Sequence, residues 1–250
     1  MTAWYVSTIA EDASEIAREY GLGLEIAEFC TPYNMDEDFT YWDTLVRKNI
    51  QGIAATTLHA PFSELCGAAI DPLVRDVTLH RFEQAYDLAL TYGAGRMVVH
   101  SGFMPMLYNA GWFTEHLVAF WKGFLQDKDT NCVIVLENVF ESEPTMLVDI
   151  VQEVNDPRFR LCLDLGHANS SGRTTPLSTW IDAFGPWLSH VHVHNNHGDY
   201  DSHLDPGDGS IDMRSVLPQL RGLHGDITFT LECPKAKRAI DWLKQQGLLW

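Results

Sequence analysis

The chain has 250 residues, of which 46% are hydrophobic, and its 34 acidic and 17 basic residues give a formal net charge of −17. The length suits one large core, and the hydrophobic fraction excludes a disordered chain. The negative charge disfavours nonspecific attraction to phosphate backbones or anionic lipids.

Hydrophobic periodicity predicts alternating strands and helices along the whole chain, with no linker that would separate a second domain. The predicted strands cover Trp4–Thr8, Leu24–Phe29, Ile53–His59, Arg96–His100, Cys132–Asn138, Arg160–Asp164, Leu188–His194 and Asp226–Glu232. The predicted helices cover Ser14–Tyr20, Asp36–Asn49, Asp71–Tyr92, Trp112–Gln126, Pro144–Val154, Leu177–Phe184, Ile211–Leu220 and Lys235–Gln246. A doubly wound sheet would carry a Gly-rich phosphate loop after its first strand, and none is present. The repeated units therefore predict an α/β fold, a single (β/α)8 TIM barrel domain over residues 1–250.

Two further features bear on location. No apolar run approaches the ~20 residues that span a bilayer, and the N-terminus shows no signal peptide. We therefore expect a cytoplasmic protein without a membrane partner. The five cysteines are scattered without a CxxC pair, which favours structural thiols in a reducing compartment.

The ends of the predicted strands carry polar side chains that buried strands do not need. The segments TTLHAPF, MVVHSGF, VIVLENV, LCLDLGHAN, HVHVHNNH and FTLECP each place an imidazole or a carboxylate at or just past a strand end. These residues are His59, His100, Glu137, Asp164, His167, His192 and Glu232. A lone histidine is more often a surface or satisfied core residue, but eight of the 11 histidines fall at strand ends. Barrel enzymes keep their chemistry on this face, so the pattern predicts a polar site there.

Four of these residues predict a metal site. Glu137, Asp164, His192 and Glu232 come from four adjacent strands and can aim at one point. Three carboxylates and one nitrogen suit a divalent metal, Mn²⁺, Mg²⁺ or Co²⁺, and also admit Zn²⁺. The alternative is that the two glutamates cap the amides of nearby loops.

Residues after strand six extend this prediction toward the mouth. His190, His192 and His194 alternate, so they share one face of their strand. We expect His190 to lie deeper, His192 at the metal, and His194 near the rim as a substrate contact. Asp201 and His203 lie in a loop rich in Pro and Gly, where they either bind metal or substrate or stabilise a turn.

The motifs LHAPF, VVHSG, LEN, LCLDLGHAN, HVHVHNN, DSHLDPGDG and LECP resemble the xylose isomerase-like superfamily of TIM barrels, over roughly Ile53 to Pro234. That superfamily joins metal-dependent sugar isomerases and epimerases to apurinic endonucleases of the endonuclease IV type. The resemblance implies that Glu137, Asp164, His192 and Glu232 form the single-metal site of the epimerases. His167 matches the histidine that follows the aspartate there, and it is a further catalytic candidate. The additional ligands of the three-zinc endonucleases would correspond to His59, His100, His167, Asp201 and His203.

Loop charge separates the two branches. The predicted mouth loops, residues 8–16, 29–44, 60–72, 101–113, 138–146 and 193–211, contain no Lys or Arg. The basic residues near that face are Arg173, Lys235, Lys237 and Arg238. A DNA enzyme must neutralise several phosphates, so a small sugar is favoured over nucleic acid as the partner. The same loops carry aromatic residues, among them Phe103 and Trp112, which either close over a substrate or pack onto helices.

The sequence therefore predicts a divalent-metal-dependent sugar isomerase or epimerase. The metal would polarise a carbonyl and hold an enediolate, while Glu137 and Glu232 would move protons on and off carbon. Two alternatives stay open, a multi-zinc phosphodiesterase and a barrel that binds sugar without catalysis. The intact ligand set argues against the second. The sequence does not decide which sugar is used, how many metal ions bind, or whether the chain forms a homo-oligomer.

Overall fold

The computed structural model describes residues 3–128, 132–170, 174–224 and 226–250. The strands are β1 (Trp4–Ser7), β2 (Gly23–Ile26), β3 (Thr56–His59), β4 (Ala94–His100), β5 (Val133–Glu137), β6 (Phe159–Asp164), β7 (Leu188–Val193) and β8 (Thr228–Leu231). They pair in parallel in chain order, and β8 pairs with β1 to close a barrel. The predicted single (β/α)8 TIM barrel is thus confirmed.

Helices surround the barrel and connect successive strands. They are α1 (Ala13–Tyr20), α2 (Tyr33–Asp36), α3 (Phe39–Ile50), α4 (Pro72–Thr91), α5 (Ala110–Leu125), α6 (Thr145–Val154), α7 (Leu165–Asn169), α8 (Leu177–Phe184), α9 (Met213–Arg221) and α10 (Ala236–Gln246). In the described ranges, no helix combines the length and the apolar character needed to cross a membrane.

Alternation along the strands separates the main core from the barrel interior. Outward side chains such as Trp4, Leu24 and Phe229 pack against the helices in one large apolar cluster. Inward side chains on β4, β5 and β6 form a small separate apolar layer of Val98, Val135 and Cys162. The inward positions of the neighbouring strands are polar and equally buried, and they include Ser7, Glu25, Thr57, His190, Thr228 and Thr230. The interior is therefore half apolar and half polar beneath the mouth.

Several local predictions were wrong, each for a physical reason. The helix predicted over Asp36–Asn49 is two helices, α2 and α3, because Asp38 adopts a left-handed backbone with φ 54° between them. The strand predicted to run to Phe29 ends at Ile26, where the chain enters a turn closed by a bond from Cys30 N to Ala27 O. The predicted third strand begins at Thr56 rather than Ile53. Helix α7 was not predicted.

Candidate metal centre

The carboxyl ends of the strands bring the predicted side chains to one face of the barrel. His59, His100, Glu137 and Asp164 are the last residues of β3, β4, β5 and β6. His192 is next to last in β7, and Glu232 follows β8. Strand register places His100 beside Glu137 and Asp164 beside His192.

The imidazole of His192 lies among three carboxylates. Its Nδ1 is 3.2 Å from Glu137 Oε1, 3.4 Å from Glu232 Oε2 and 3.7 Å from Asp164 Oδ2. All four side chains are buried, and the most accessible, Glu232, exposes only 7% of its surface. The structure thus brings together the four residues that the sequence singled out as metal ligands.

A second group shares Glu137. The Nε2 atoms of His59 and His100 lie 3.4 Å and 3.2 Å from Glu137 Oε2, while His167 Nδ1 lies 3.2 Å from Glu137 Oε1. The ring of Phe62 stacks on His100 with a centroid distance of 4.4 Å and meets His59 edge-on. One carboxylate therefore faces several imidazoles, beside an aromatic ring at the mouth.

A third group lies toward the rim and centres on Asp201. Its Oδ2 is 3.0 Å from His203 Nε2 and 3.3 Å from His167 Nε2, and its Oδ1 is 3.6 Å from His194 Nδ1. The His194 ring stacks on His203 at 3.8 Å, and its Nε2 lies 3.0 Å from Asp164 Oδ2. This places the solvent-exposed Asp201 and the half-buried His203 at the rim of the barrel mouth, in contact with His167 and His194.

Two asparagines that the sequence analysis did not single out hold the loop that carries Asp201. The Asn195 side chain donates to Pro206 O and Ile211 O and accepts from Ile211 N, at 2.9, 3.1 and 3.0 Å. Asn196 Nδ2 donates to Gly166 O at 2.8 Å. These bonds tie the loop to strand β7 and helix α7, which fixes the rim group relative to the barrel.

Helix α7 positions Asp164 and His167 relative to each other. Asp164 caps the helix, with its Oδ1 accepting from His167 N at 2.6 Å. At Gly166 an added Cβ would lie 2.0 Å from Cε1 of His194, so only glycine lets that buried ring pack against the helix. The LDLGHAN motif thus serves both the metal group and the rim group.

Glu25 is the polar site residue that the sequence analysis missed. It is fully buried at an inward position of β2, and its carboxylate lies 3.1 Å from His190 Nε2 and 3.3 Å from His192 Nε2. The hydroxyl of Thr230 donates to it at 3.0 Å. A carboxylate at an inward position of an otherwise apolar strand is the signal that could have identified it.

The carboxylates and histidines of the metal group shift one another's pKa values. Burial would raise the pKa values of Glu137 and Asp164, but the surrounding histidines outweigh it and hold both well below their usual range. Burial raises the pKa of Glu232, and of the nearby charges His192 opposes the rise while Glu25 and Glu137 add to it.

The histidines show the complementary effect. Burial would lower the pKa of His192, but the nearby anionic groups raise it well above its usual value, and Asp164 and Asp201 do the same for His167. The carboxylate of Asp201 raises the pKa of His203 to about 9 against the effect of burial. In contrast, burial lowers the pKa of His190 to about 4, so that deeper ring is neutral at pH 7. A cation that binds here would displace protons from the imidazoles whose pKa values are raised.

The donor set fits a divalent metal. Glu137 Oε2 and His194 Nδ1 are buried and make no hydrogen bond of good geometry within the described residues, although imidazole nitrogens lie 3.2 and 3.4 Å from the first atom and Asp201 Oδ1 lies 3.6 Å from the second. Buried polar atoms without partners are costly and call for an explanation such as an ion. Carboxylate oxygens and imidazole nitrogens suit Mn²⁺, Co²⁺ and Zn²⁺, and the carboxylates also suit Mg²⁺.

Two aromatic residues that remain predicted substrate contacts pack against neighbouring aromatic rings. Phe103 packs edge-on against Phe113 at 5.0 Å, and Trp112 stacks on His116 at 3.9 Å, so both belong to a cluster of loop and helix residues. Phe62, which follows β3, is the ring that contacts His59 and His100. Phe62 follows β3 by three residues, after the segment His59-Ala60-Pro61, and this position places it at the mouth.

The basic residues near the mouth are engaged by acidic ones. Lys235 pairs with Glu11, Lys237 lies 2.6 Å from Asp241, and Arg238 lies 2.8 Å from Asp205. Arg173 lies outside the described residues. These pairs leave little positive charge to attract a polyanion.

Comparisons with known proteins agree with this architecture. A model of the family described as xylose isomerase-like TIM barrel matches residues 3–246. Two uncharacterized proteins of Methanocaldococcus jannaschii are similar in sequence. One is 28% identical over 193 residues, covering 73% of this chain and 66% of that protein. The other is 22% identical over 171 residues, covering 67% and 66%. The match spans just under two thirds of the length of each relative.

Solved structures are similar over nearly the whole chain. A D-tagatose 3-epimerase-like protein has a TM-score of 0.78 at 23% identity, covering 99% of this chain and 97% of that chain. A protein from Thermus thermophilus, soaked with ZnCl2, has a TM-score of 0.75 at 24% identity, covering 98% of both chains. A D-psicose 3-epimerase in the presence of D-fructose has a TM-score of 0.69 at 16% identity, covering 92% and 84%. At these identities the likeness shows a shared fold.

Proposed function

The chain belongs to the xylose isomerase-like TIM barrel family, and we propose that it is a divalent-metal-dependent sugar isomerase or epimerase. The observation that carries the proposal is the approach of three carboxylates, from Glu137, Asp164 and Glu232, to one imidazole nitrogen of His192 within 3.7 Å. The similar structures support a sugar substrate, because they include a D-psicose 3-epimerase with D-fructose and a D-tagatose 3-epimerase-like protein.

Glu137, Asp164, His192 and Glu232 would hold the ion. When bound, a divalent ion supplies a Lewis acid that polarises the substrate carbonyl and favours loss of a proton from the neighbouring carbon. A similar structure described as IOLI protein with a binding zinc atom supports a metal at this fold, and the metal of this chain is left open among Mn²⁺, Mg²⁺, Co²⁺ and Zn²⁺.

The two glutamates would move the proton. Glu137 ends β5 and Glu232 follows β8, so they approach His192 from different sides of the barrel mouth. One carboxylate can take a proton from one face of a sugar carbon, and the other can return a proton to the opposite face or to a neighbouring carbon. His167 lies 3.2 Å from Glu137 Oε1 and would hold that carboxylate in orientation or exchange a proton with it.

Residues nearer the rim would bind the rest of the substrate. Asp201 presents an oxygen atom above the metal group that can hydrogen-bond to a sugar hydroxyl, and the fully buried His194, 3.6 Å away, would act on the substrate through it. Phe62 would cover an apolar face of the sugar and exclude water. With few unpaired basic residues at the mouth, the substrate would be neutral or weakly anionic.

Product analysis with a panel of ketoses tests this function. The protein, loaded separately with Mn²⁺, Co²⁺, Mg²⁺ and Zn²⁺, is incubated with each sugar, and chromatography follows the appearance of an epimer or aldose. We expect at least one ketose to convert in a metal-dependent way, and stripping the metal with a chelator to stop the conversion. Failure of every sugar with every metal would contradict the proposal.

A second candidate function is metal-dependent phosphoester hydrolysis. It is favoured by the two further groups, His59 and His100 with Glu137, and His167 and His203 with Asp201, each able to offer ligand atoms within 4.8 Å of one another. Such neighbouring groups could hold additional ions, and multi-metal sites commonly cleave phosphoesters.

Metal content per chain discriminates between the two functions. We expect one ion to remain after dialysis, because the Glu137, Asp164, His192 and Glu232 set is more deeply buried than the groups that contain His100 or Asp201. Elemental analysis of the dialysed protein measures this number, and the Asp201→Asn variant is the control, since it should leave the content unchanged. Three zinc ions per chain, falling to two in Asp201→Asn, would favour hydrolysis.

A further inference from the structure

The polar half of the barrel interior contains a carboxylate that points at the metal group from below. Glu25 lies on β2, fully buried, one layer deeper than the four candidate ligands. Its contacts are with His190, His192 and Thr230 rather than with the carboxylates at the mouth. It therefore cannot reach a substrate, and any effect on the site must pass through another residue.

The two nitrogens of His192 face opposite environments. Nδ1 points to Glu137, Asp164 and Glu232 at 3.2–3.7 Å, which is the side where an ion would sit. Nε2 points to Glu25, at 3.3 Å from Oε1 and 3.4 Å from Oε2. A neutral imidazole that donates a lone pair from one nitrogen must carry its proton on the other, and an ionised carboxylate is purely an acceptor for that proton.

The surroundings of Glu25 fix its direction. Thr230, which pairs with His192 across β7 and β8, donates its hydroxyl to Glu25 Oε2 at 3.0 Å, and His190 Nε2 lies 3.1 Å from the same atom. His190 is itself held by Thr228 Oγ1, 2.7 Å from its Nδ1. The bond from His192 Nε2 goes to Glu25 Oε2 at 3.4 Å, while Glu25 Oε1, 3.3 Å from the same nitrogen, makes no hydrogen bond of good geometry among the described residues. That oxygen faces His192.

We propose that Glu25 is a positioning residue that keeps the proton of His192 on Nε2 and so presents the Nδ1 lone pair to a divalent metal. The inference rests on the proposed metal site. A carboxylate behind a metal-binding histidine fixes the ring orientation and increases its basicity, and its loss typically costs 10–100-fold in metal affinity. The competing explanation is that Glu25 only satisfies buried His190 and stabilises the fold.

Zinc affinity of matched variants separates these explanations. Glu25→Leu keeps the volume and removes the acceptor, and Glu25→Gln keeps an acceptor oxygen without the charge. Thr228→Val removes the partner of His190 Nδ1 and a long 3.5 Å bond to Ser189 O, and it leaves every contact of Glu25 in place. Affinity for Zn²⁺ is measured by competition with a chelating dye, and the stability of each metal-free protein by urea unfolding. We expect a roughly 10–100-fold loss of affinity in Glu25→Leu, a substantially smaller loss in Glu25→Gln, and none in Thr228→Val.

The outcomes distinguish this inference from the proposed function. If the unmodified protein binds Zn²⁺ but Glu25→Leu binds it equally well, the positioning role is wrong and the metal site stands. If the unmodified protein binds none of Zn²⁺, Mn²⁺, Co²⁺ and Mg²⁺, both are wrong. Should Glu25→Leu fail to fold, ¹⁵N NMR of the zinc-loaded unmodified protein still decides. A proton on His192 Nε2 with the downfield shift of a hydrogen bond to a carboxylate supports the inference, and an Nε2 proton without that shift, or a proton on Nδ1, overturns it.

Discussion

Replacing both Glu137 and Glu232 by glutamine will abolish turnover while the barrel stays folded. Each glutamine keeps the size of the side chain but removes a charge that faces His192 at 3.2 or 3.4 Å. General acid–base catalysis alone is worth about 10²–10⁴-fold, and weakened metal binding adds to its loss. We therefore expect the rate of sugar interconversion to fall by more than about 10⁴-fold.

The fold should tolerate this double change because the two carboxylates affect stability in opposite directions. The pKa of Glu137 is held below its usual range, so its ionised form stabilises the metal-free fold above the unfolded pKa, and glutamine removes that contribution. The pKa of Glu232 is raised, so its ionised form is unfavourable in the fold at neutral pH, and glutamine relieves that cost. Circular dichroism and thermal unfolding check the prediction.

A matched double variant separates site chemistry from net charge. Glu115 on α5 and Glu153 on α6 are exposed, and replacing both by glutamine changes the charge of the protein by the same amount. That control should retain full turnover. Activity that survived in the Glu137 and Glu232 double variant would show that the catalytic assignment is wrong.

The fold and the metal group could be predicted because both depend on local pattern. Short apolar strands at regular spacing specify the barrel, and the last residue of such a strand must lie at one rim, as Glu137 and Asp164 do. The alternation of side chains along β7 likewise predicts that His190 and His192 share a face. These inferences need no knowledge of what lies across the barrel.

The residues that were missed depend on contacts across the barrel or on backbone geometry. Glu25 meets His190 over a sequence separation of 165 residues, and the pattern of β2 says nothing about its partner. Asp38 breaks a helix through a left-handed conformation that its sequence context does not require. Phe62 and Phe103 are both aromatic loop residues, and only the path of each loop decides which one reaches the histidines.

Solvent deuterium will appear in the sugar at a carbon next to the carbonyl when the protein turns over in D₂O. The proposed proton carriers, Glu137 and Glu232, lie at and just past the carboxyl ends of β5 and β8, and a carboxylic acid exchanges its proton with water between turnovers. Because one glutamate takes the proton from carbon and the other returns one, the returned hydrogen comes from solvent and is deuterium. Mass spectrometry of the ketose panel should show a gain of one mass unit per exchanged position in the sugar that converts, and none with the double glutamine variant.

Two results would contradict this expectation in different ways. An aldose formed from a ketose without deuterium would mean that hydride passes directly between the neighbouring carbons, so the metal site would stand and the role of the glutamates as proton carriers would fall. Cleavage of abasic DNA, with every sugar unlabelled, would mean that the neighbouring histidine groups hold catalytic ions for phosphoester hydrolysis. In that case the scarcity of unpaired basic residues at the mouth, where Arg238 already pairs with Asp205, would not have excluded a polyanion, because bound metal ions would supply the positive charge that the side chains do not.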